Sequence, residues 1–209
     1  MNGFSLIETM RWEPSDGIAR AGLHRARLRN SARKLGFAGH EAAWEAVEHE
    51  AASLARTSRL RLELFADGRF DITAAPFALQ AEDTVWTVRV ACHARLASGL
   101  PLLRHKTSQR SIYEAARAEF DKADADEVLL LNERDEICEG TITSIFVEAD
   151  GGMLLTPSLA CGCLAGVLRT ALICAGRARV AKLSVRDLED RSFHAGNSLR
   201  GLIRAKLPK

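Results

Sequence analysis

No stretch of this 209-residue sequence approaches the ~18 consecutive apolar residues of a membrane-spanning helix. Glu8, Arg11 and Glu13 interrupt the first residues where a signal peptide would need an unbroken apolar run. Neither sign of charge dominates, because 29 Lys and Arg face 27 Asp and Glu, and the net charge of +2 does not favour nucleic acid. We therefore expect a soluble cytoplasmic protein with a small-molecule or protein partner, and with neither a membrane nor a nucleic acid as partner.

The five cysteines do not follow the spacing of a disulfide framework, and their number is odd. Cys161 and Cys163 form a C-x-C pair without a second pair or a nearby histidine. A four-coordinate zinc site cannot be completed locally from these ligands. The pattern predicts free thiols and no metal site.

Several short catalytic motifs are also missing. The sequence contains no Walker loop, no Rossmann glycine fingerprint, no G-x-S-x-G nucleophile elbow and no H-E-x-x-H helix. These absences exclude several common enzyme classes.

The first part of the chain predicts a strand followed by two helices. The segment GFSLIETMRW, residues 3–12, is short and apolar-rich, and turn residues follow it. Apolar residues recur at helical spacing over residues 18–35 and again over 39–56. Gly36 is a natural helix end. Two packed helices are therefore expected after the first strand.

Alternating leucines then signal β structure. RLRLELFA, the Asp67-Gly68 turn and RFDITAA together predict a β-hairpin. Residues 84–91 predict a further strand.

The second half of the chain predicts further helices and strands. They are a helix at 108–122, strands at 127–131 and over 136–148, a hairpin into MLLTP, a helix at 166–176, a strand at 177–185 and a helical turn at 186–190.

The change of periodicity at SGLPLL places a linker at residues 98–103, because Gly99 and Pro101 break both periods. It separates a small N-terminal α+β domain, residues 1–97, from a larger C-terminal α+β domain, residues 104–209. Strands arranged in hairpin pairs between isolated helices predict an α+β fold with mainly antiparallel sheets flanked by helices.

Four ordered blocks carry a resemblance to a known family. They are RHKTSQRSIYEAARAEF, ADEVLLLNERDEICEGTITSIFVE, LLTPSLACGCLAGVLRTALI and NSLRGLI. Together with LIETMRW and HRARLRNSARKLGF near the start, they resemble class IV aminotransferases, the fold-type IV enzymes that use pyridoxal 5'-phosphate (PLP). The likeness is greatest to aminodeoxychorismate lyases. It implies a two-domain architecture like that of D-amino acid aminotransferases, a PLP cofactor and a homodimer, with the active site between the domains.

The resemblance assigns the cofactor residues by position. Lys106 in RHKT matches the catalytic lysine that binds PLP covalently, and Glu139 in CEGTITSIF matches the acid that pairs with the pyridine nitrogen. The segment Gly166-Val167-Leu168 matches the phosphate site, where backbone N–H groups at a helix start meet the phosphate. Arg27, in the H-x-x-R-L pattern, matches an arginine that reaches the same phosphate.

Two further residues in NSLRG correspond to a substrate site. Asn197 matches a residue that helps hold the substrate carboxylate in the lyases, and Arg200 lies beside it. Tyr113 follows Lys106 by seven residues. Two roles are open for the Tyr113 side chain: a hydrogen bond near the cofactor, or packing in the core.

The resemblance implies a lyase that releases pyruvate and 4-aminobenzoate from 4-amino-4-deoxychorismate. Alternatives are a transaminase of branched-chain or D-amino acids and a non-catalytic member that retains PLP. Ser144 departs from the family pattern, which usually has Asn there. The N-terminal domain is also shorter than usual, which leaves the substrate open.

Overall fold

The computed structural model describes residues 3–208, whose internal contacts divide them into two units. The first unit comprises residues up to 79 together with 105–109 and 198–200; the second comprises 80–104, 110–197 and the residues from 201 onward. Residues 98–103, the predicted linker, lie within the second unit. The strand that precedes this linker pairs only with strands of the second unit.

The first unit contains a four-stranded antiparallel sheet. Its strands are β1 (Leu6–Glu13), β2 (Gly17–Ile18), β3 (Ser58–Leu64) and β4 (Phe70–Pro76), in the order β2-β1-β3-β4. The predicted hairpin is confirmed, since Leu64 faces Phe70 across the Asp67-Gly68 turn. Leu60, Leu62 and Leu64 are fully buried, as the alternating pattern requires.

Two helices pack with this sheet, α1 (Ala21–Leu35) and α2 (His40–Ala52). Helix α1 ends at the predicted Gly36, which has the left-handed backbone typical of a helix end. It begins later than predicted because residues 17–18 form β2. The core between helices and sheet includes the buried side chains of Leu28, Trp44 and Met10.

The second unit is built on an eight-stranded mixed sheet. Its strands are β5 (Val85–Leu96), β6 (Glu127–Asn132), β7 (Ile137–Gly140), β8 (Ser144–Glu148), β9 (Leu154–Pro157), β10 (Ala178–Ala181), β11 (Phe193–Asn197) and β12 (Gly201–Lys206). Their order is β10-β9-β8-β11-β12-β5-β6-β7. The pairs β5–β6, β5–β12 and β9–β10 are parallel, and the other pairs are antiparallel. The predicted α+β class with mainly antiparallel strands is confirmed.

Three helices accompany this sheet, α3 (Ser111–Ala118), α4 (Val167–Cys174) and α5 (Val185–Asp190). Helix α3 is shorter than the predicted 108–122 at both ends. Ser108 lies in the segment 105–109 of the first unit, where its N–H donates to the Ser5 carbonyl at 3.0 Å. All six residues of β6 are buried. A strand buried in this way has apolar side chains packed on both of its faces. No helix within residues 3–208 is long and apolar enough to cross a membrane.

Gly39 offers a test of how α2 meets the β3–β4 turn. Its φ is +72°, and a Cβ there would lie 2.7 Å from the Gly68 carbonyl oxygen. We expect Gly39→Ala to lower the free energy of unfolding by roughly 2 kcal/mol. Gly22→Ala is the control, since no neighbouring atom lies within 4 Å of its Cβ position, and it should raise stability by about 0.5 kcal/mol. Chemical denaturation measures both, and a neutral Gly39→Ala would contradict the packing described.

Candidate active site

The predicted site residues are divided between the two units. Arg27, Lys106 and Arg200 belong to the first, whereas the second contains Glu139, Gly166, Val167, Leu168 and Asn197. The neighbours of each residue within its own unit determine which interactions its side chain can make with a ligand.

Lys106 lies on an extended segment, residues 105–109, that runs beside β1. The Ile7 N–H donates to the Lys106 carbonyl at 2.8 Å, and Leu6 forms a β-bridge with Thr107. The side chain of Lys106 is half-buried. Backbone pairing with β1 therefore fixes the position from which this side chain extends.

His105 anchors the same segment to α1. Its Nδ1 lies 2.8 Å from the Ser31 hydroxyl. Burial, together with the positive charge of Lys34, lowers the pKa of His105, so the ring is neutral at pH 7. A neutral imidazole beside Lys106 adds no charge next to the predicted cofactor lysine.

Arg27 forms a bidentate ion pair with Glu8 of β1. Its Nε donates to Glu8 Oε1 at 2.8 Å, and its Nη2 donates to Oε2 at 2.6 Å. Both contacts are short, charge-assisted hydrogen bonds. The pair fixes the plane of the guanidinium and leaves the Nη1 group outside the contact.

His24 extends this network to the loop at residues 198–200. Its Nδ1 lies 2.6 Å from Glu8 Oε2, and its Nε2 lies 2.8 Å from the Ser198 hydroxyl. His24 was not predicted as a site residue. Its spacing of three residues from Arg27 places both side chains on one face of α1, which is the signal that could have revealed it.

Glu8 is 1% exposed, and its pKa is lowered to about 2. Burial alone would raise the pKa of a carboxyl group, but the charges and hydrogen bonds of Arg27 and His24 outweigh it. Glu8 is therefore an ionised carboxylate at neutral pH, joining β1 to α1 and, through His24, to Ser198.

Arg200 and Asn197, predicted to hold a substrate carboxylate, have different surroundings. The Arg200 guanidinium lies 5.9 Å from the centre of the Phe77 ring. The Asn197 amide donates to the Ile142 carbonyl at 3.1 Å. One amide donor of Asn197 is thus engaged with the backbone of the β7–β8 turn.

In the second unit, Glu139 lies in β7 and is 7% exposed. The Tyr113 hydroxyl donates to its Oε1 at 2.7 Å, and the Leu164 N–H donates to its Oε2 at 3.1 Å. These two hydrogen bonds orient the carboxylate group.

The sequence leaves two roles open for Tyr113. Burial, and next the neighbouring Glu139, raise its pKa far above the ordinary range, so the hydroxyl remains a donor. The Arg110 guanidinium lies 4.8 Å from its ring centre, within the range of a cation–π contact. Tyr113 thus packs against a hydrophobic core cluster of the second unit and also hydrogen-bonds to Glu139.

The segment Gly166-Val167-Leu168 forms the start of α4. Gly166 precedes the helix, and the first-turn N–H groups have no acceptor within it. The Val167 and Leu168 side chains are buried, so only the backbone of these residues can meet a ligand. A Cβ on Gly166 would lie 2.7 Å from the hydroxyl of Ser144.

The cysteines near this segment are protonated. Burial raises the pKa of Cys163 to about 12 and raises that of Cys138 further. A metal would need thiolates. Within residues 3–208, no group of three or more His, Cys, Asp or Glu side chains could hold a metal ion. The five cysteines are free thiols.

The two sheets with their flanking helices form the aminotransferase class IV fold. The sequence profile of the family "Amino-transferase class IV" matches residues 5–207. The chain belongs to this family, which confirms the resemblance stated from the sequence. No curated protein matches the sequence significantly.

Solved structures agree with this assignment. A protein assigned as an amino-acid aminotransferase from Mesorhizobium loti is 47% identical, with a TM-score of 0.93 over 98% of this chain and 100% of that one. Two more distant structures share the fold. The 4-amino-4-deoxychorismate lyase from Pseudomonas aeruginosa is 22% identical, with a TM-score of 0.80 over 97% of this chain and 82% of that one. The branched-chain amino acid aminotransferase from Escherichia coli is 20% identical, with a TM-score of 0.80 over 99% of this chain and 78% of that one.

The lowered pKa of Glu8 predicts a specific pH dependence of stability. The ordinary pKa of 4.5 applies to the unfolded chain and about 2 to the folded chain, so this stabilisation is complete above pH 4.5 and lost as pH falls towards 2. We expect Glu8→Gln to lower the free energy of unfolding by about 3 kcal/mol at neutral pH.

Urea denaturation from pH 7 to pH 2 measures this effect. The difference between wild type and Glu8→Gln should shrink below pH 4.5, because protonation of Glu8 removes the same interaction. Glu45→Gln, at an exposed position of α2, is the control and should follow the wild type. A difference that stays constant with pH would show that Glu8 is not ionised in the folded protein.

Proposed function

We propose that this protein is a PLP-dependent enzyme that removes a proton from the amine-bearing carbon of a small substrate. The observation that carries the proposal is the buried Glu139 carboxylate, oriented by Tyr113 and Leu164. An oriented acid suits a protonated pyridine nitrogen, and that protonation makes the PLP ring an electron sink for the substrate carbanion.

The other residues of the chain fit the same cofactor. The first-turn N–H groups of α4, with glycine before them, suit a phosphate. Arg27 would add a positive charge through its Nη1 group, since Glu8 engages only Nε and Nη2. Lys106 would bind the cofactor aldehyde and then act as the proton-transfer group, because one amine can serve as both base and acid.

The specific reaction proposed is that of a 4-amino-4-deoxychorismate lyase. The amine of Lys106 would take the proton from the amine-bearing carbon, the enolpyruvyl oxygen would leave, and protonation of the methylene carbon would give pyruvate. Aromatisation to 4-aminobenzoate supplies the driving force. The NSLRG and RHKT blocks support this reaction.

A transaminase is the second candidate, and one specific observation favours it. The Mesorhizobium loti protein that is 47% identical over nearly the whole chain is assigned as an amino-acid aminotransferase. The lyase from Pseudomonas aeruginosa is 22% identical and supports the fold alone. A third candidate is a non-catalytic family member that retains PLP. Two features motivate it: the Ser144 side chain, whose hydroxyl lies 2.7 Å from the Cβ position of Gly166, and the short first domain. Homodimerisation and a cytoplasmic location remain part of the proposal.

The cofactor assignment is tested by spectroscopy with added PLP. We expect wild type to show a visible band that borohydride abolishes, with the cofactor mass then attached to the peptide containing Lys106. Lys106→Ala should lose both signals, whereas Lys122→Ala, at an exposed position without an ion pair within residues 3–208, should keep them. If the folded wild-type protein shows no such band with added PLP, the proposal is wrong.

Product analysis separates the candidate reactions. The lyase releases pyruvate and 4-aminobenzoate in equal amounts from 4-amino-4-deoxychorismate, and we expect this outcome. A transaminase instead converts branched-chain or D-amino acids into keto acids and leaves the cofactor as pyridoxamine phosphate. Protein that shows the Lys106 band but converts none of these amines would support the non-catalytic candidate.

A further inference from the structure

Glu127, the first residue of β6, is a fully buried acid that has no part in the site described above. Its Oε1 accepts from the N–H groups of Val128 and Thr141, at 2.9 Å each, and from the Thr141 hydroxyl at 2.5 Å. Its Oε2 accepts from the Ile142 N–H at 3.1 Å and from the Thr143 hydroxyl at 2.7 Å. All of these donors except the Val128 N–H belong to the turn between β7 and β8.

These donors determine which side chain the position can hold. A backbone N–H can only donate, and one lies against each oxygen of Glu127, so both oxygens act as acceptors. A glutamine has the same shape, but one of its two terminal groups is an NH2 that only donates. In either orientation this NH2 would face a backbone N–H of the turn. The surroundings therefore suit a carboxylate and not the isosteric amide.

The β7–β8 turn depends on this carboxylate more than on apolar packing. Ile142, the only apolar residue of the turn, is 45% exposed. The side chains of Thr141 and Thr143 are buried, but their hydroxyls donate to Glu127. A Cβ on Gly140, which precedes the turn, would lie 2.7 Å from Glu127 Oε2, so the backbone packs directly against the carboxylate. Without this carboxylate, the Ile142 N–H and the two hydroxyls would lose the acceptor that they share.

The same turn is connected to Glu139 of the candidate active site, within the second unit. The Thr141 carbonyl accepts from Arg110 Nη2 at 2.5 Å. The Arg110 guanidinium lies 4.8 Å from the centre of the Tyr113 ring, and the Tyr113 hydroxyl donates to Glu139 at 2.7 Å. Along the chain, only Gly140 separates Glu139 from the turn. The turn thus reaches Glu139 both through its backbone and through two packed side chains.

We propose that Glu127 is a positioning residue: its buried carboxylate holds the β7–β8 turn, and the turn holds Arg110 and Tyr113 in the arrangement that orients Glu139. The inference rests on the proposed function, since that function gives Glu139 the pyridine nitrogen of PLP as its partner. Glu127 itself contacts neither cofactor nor substrate in this scheme and acts only through the turn. Its effect on PLP should therefore depend on Tyr113.

The first link, from Glu127 to the turn, is tested without the cofactor. Thr143→Val removes the hydroxyl that donates to Glu127 and keeps the branched shape, whereas Thr143→Ser keeps the hydroxyl. Glu127→Gln replaces an acceptor by a donor, and Glu189→Gln, at an exposed position of α5, is the matched control. Hydrogen–deuterium exchange with mass spectrometry measures the protection of a peptide that spans residues 140–144.

We expect this peptide to exchange about ten-fold faster in Thr143→Val and in Glu127→Gln than in wild type, because the turn loses hydrogen bonds to the carboxylate. Thr143→Ser and Glu189→Gln should match wild type. Circular dichroism should show that the variants are folded. If Glu127→Gln does not fold, Thr143→Val, which loses a single hydrogen bond, still decides the test.

The second link, from the turn to Glu139, is tested with PLP. Its dissociation constant is measured for wild type, Thr143→Val, Tyr113→Phe and the double variant, and NMR follows PLP that is isotopically labelled at the ring nitrogen. We expect each single variant to weaken PLP binding about three-fold or more and to shift the ring-nitrogen signal. Because both changes act on Glu139, the double variant should weaken binding by less than the product of the two single effects. Thr143→Ser should match wild type in both measurements.

Three results would overturn the proposal. The turn could exchange at the wild-type rate in both Thr143→Val and Glu127→Gln. The turn could exchange faster in Thr143→Val while PLP affinity and the ring-nitrogen signal stay unchanged, which would make Glu127 a residue of the fold alone. The effects of Thr143→Val and Tyr113→Phe could multiply, which would show that they act independently. A wild type that binds no PLP would instead count against the proposed function, and the exchange experiment would still decide the first link, so the two failures are distinguishable.

Discussion

The buried carboxylate of Glu8 is the interaction on which the first unit depends. A single ionised group receives two hydrogen bonds from Arg27 and contacts His24, which in turn reaches Ser198. Removing one partner of such a buried network leaves an uncompensated charge and costs several kcal/mol. The strand that carries Glu8 also carries the backbone pairing with Lys106, so the position of the predicted cofactor lysine depends on the same strand.

The second unit also contains a buried carboxylate, that of Glu139. It accepts hydrogen bonds from the Tyr113 hydroxyl and from the Leu164 N–H. Neutral donors of this kind orient a carboxylate without adding a compensating charge of their own. Burial alone does not distinguish Glu8 from Glu139, since both are nearly inaccessible to solvent, whereas their hydrogen-bond donors differ.

Local patterns in the sequence predicted the elements that depend on local physics. The β3–β4 hairpin follows from alternating leucines and an Asp-Gly turn, and the end of α1 follows from Gly36. Features that depend on distant residues could not be read in this way. The Tyr113 contact joins residues 26 positions apart, and β5 belongs to the second sheet because of parallel pairing with β6 and β12. The left-handed backbone of Arg20, at the start of α1, has no sequence signal, because arginine rarely adopts it.

The path of the chain has a consequence for how this protein can be divided. The chain passes from one unit to the other five times, after residues 79, 104, 109, 197 and 200. The first unit is therefore not a continuous stretch of sequence, and its strand β1 takes a backbone partner from residues 105–109. A gene fragment that ends near residue 80 would encode all four strands and both helices of this unit. It would still leave the N–H of Ile7 without its carbonyl acceptor and His24 without Ser198. Protein engineering by domain exchange would have to transfer three separate segments together.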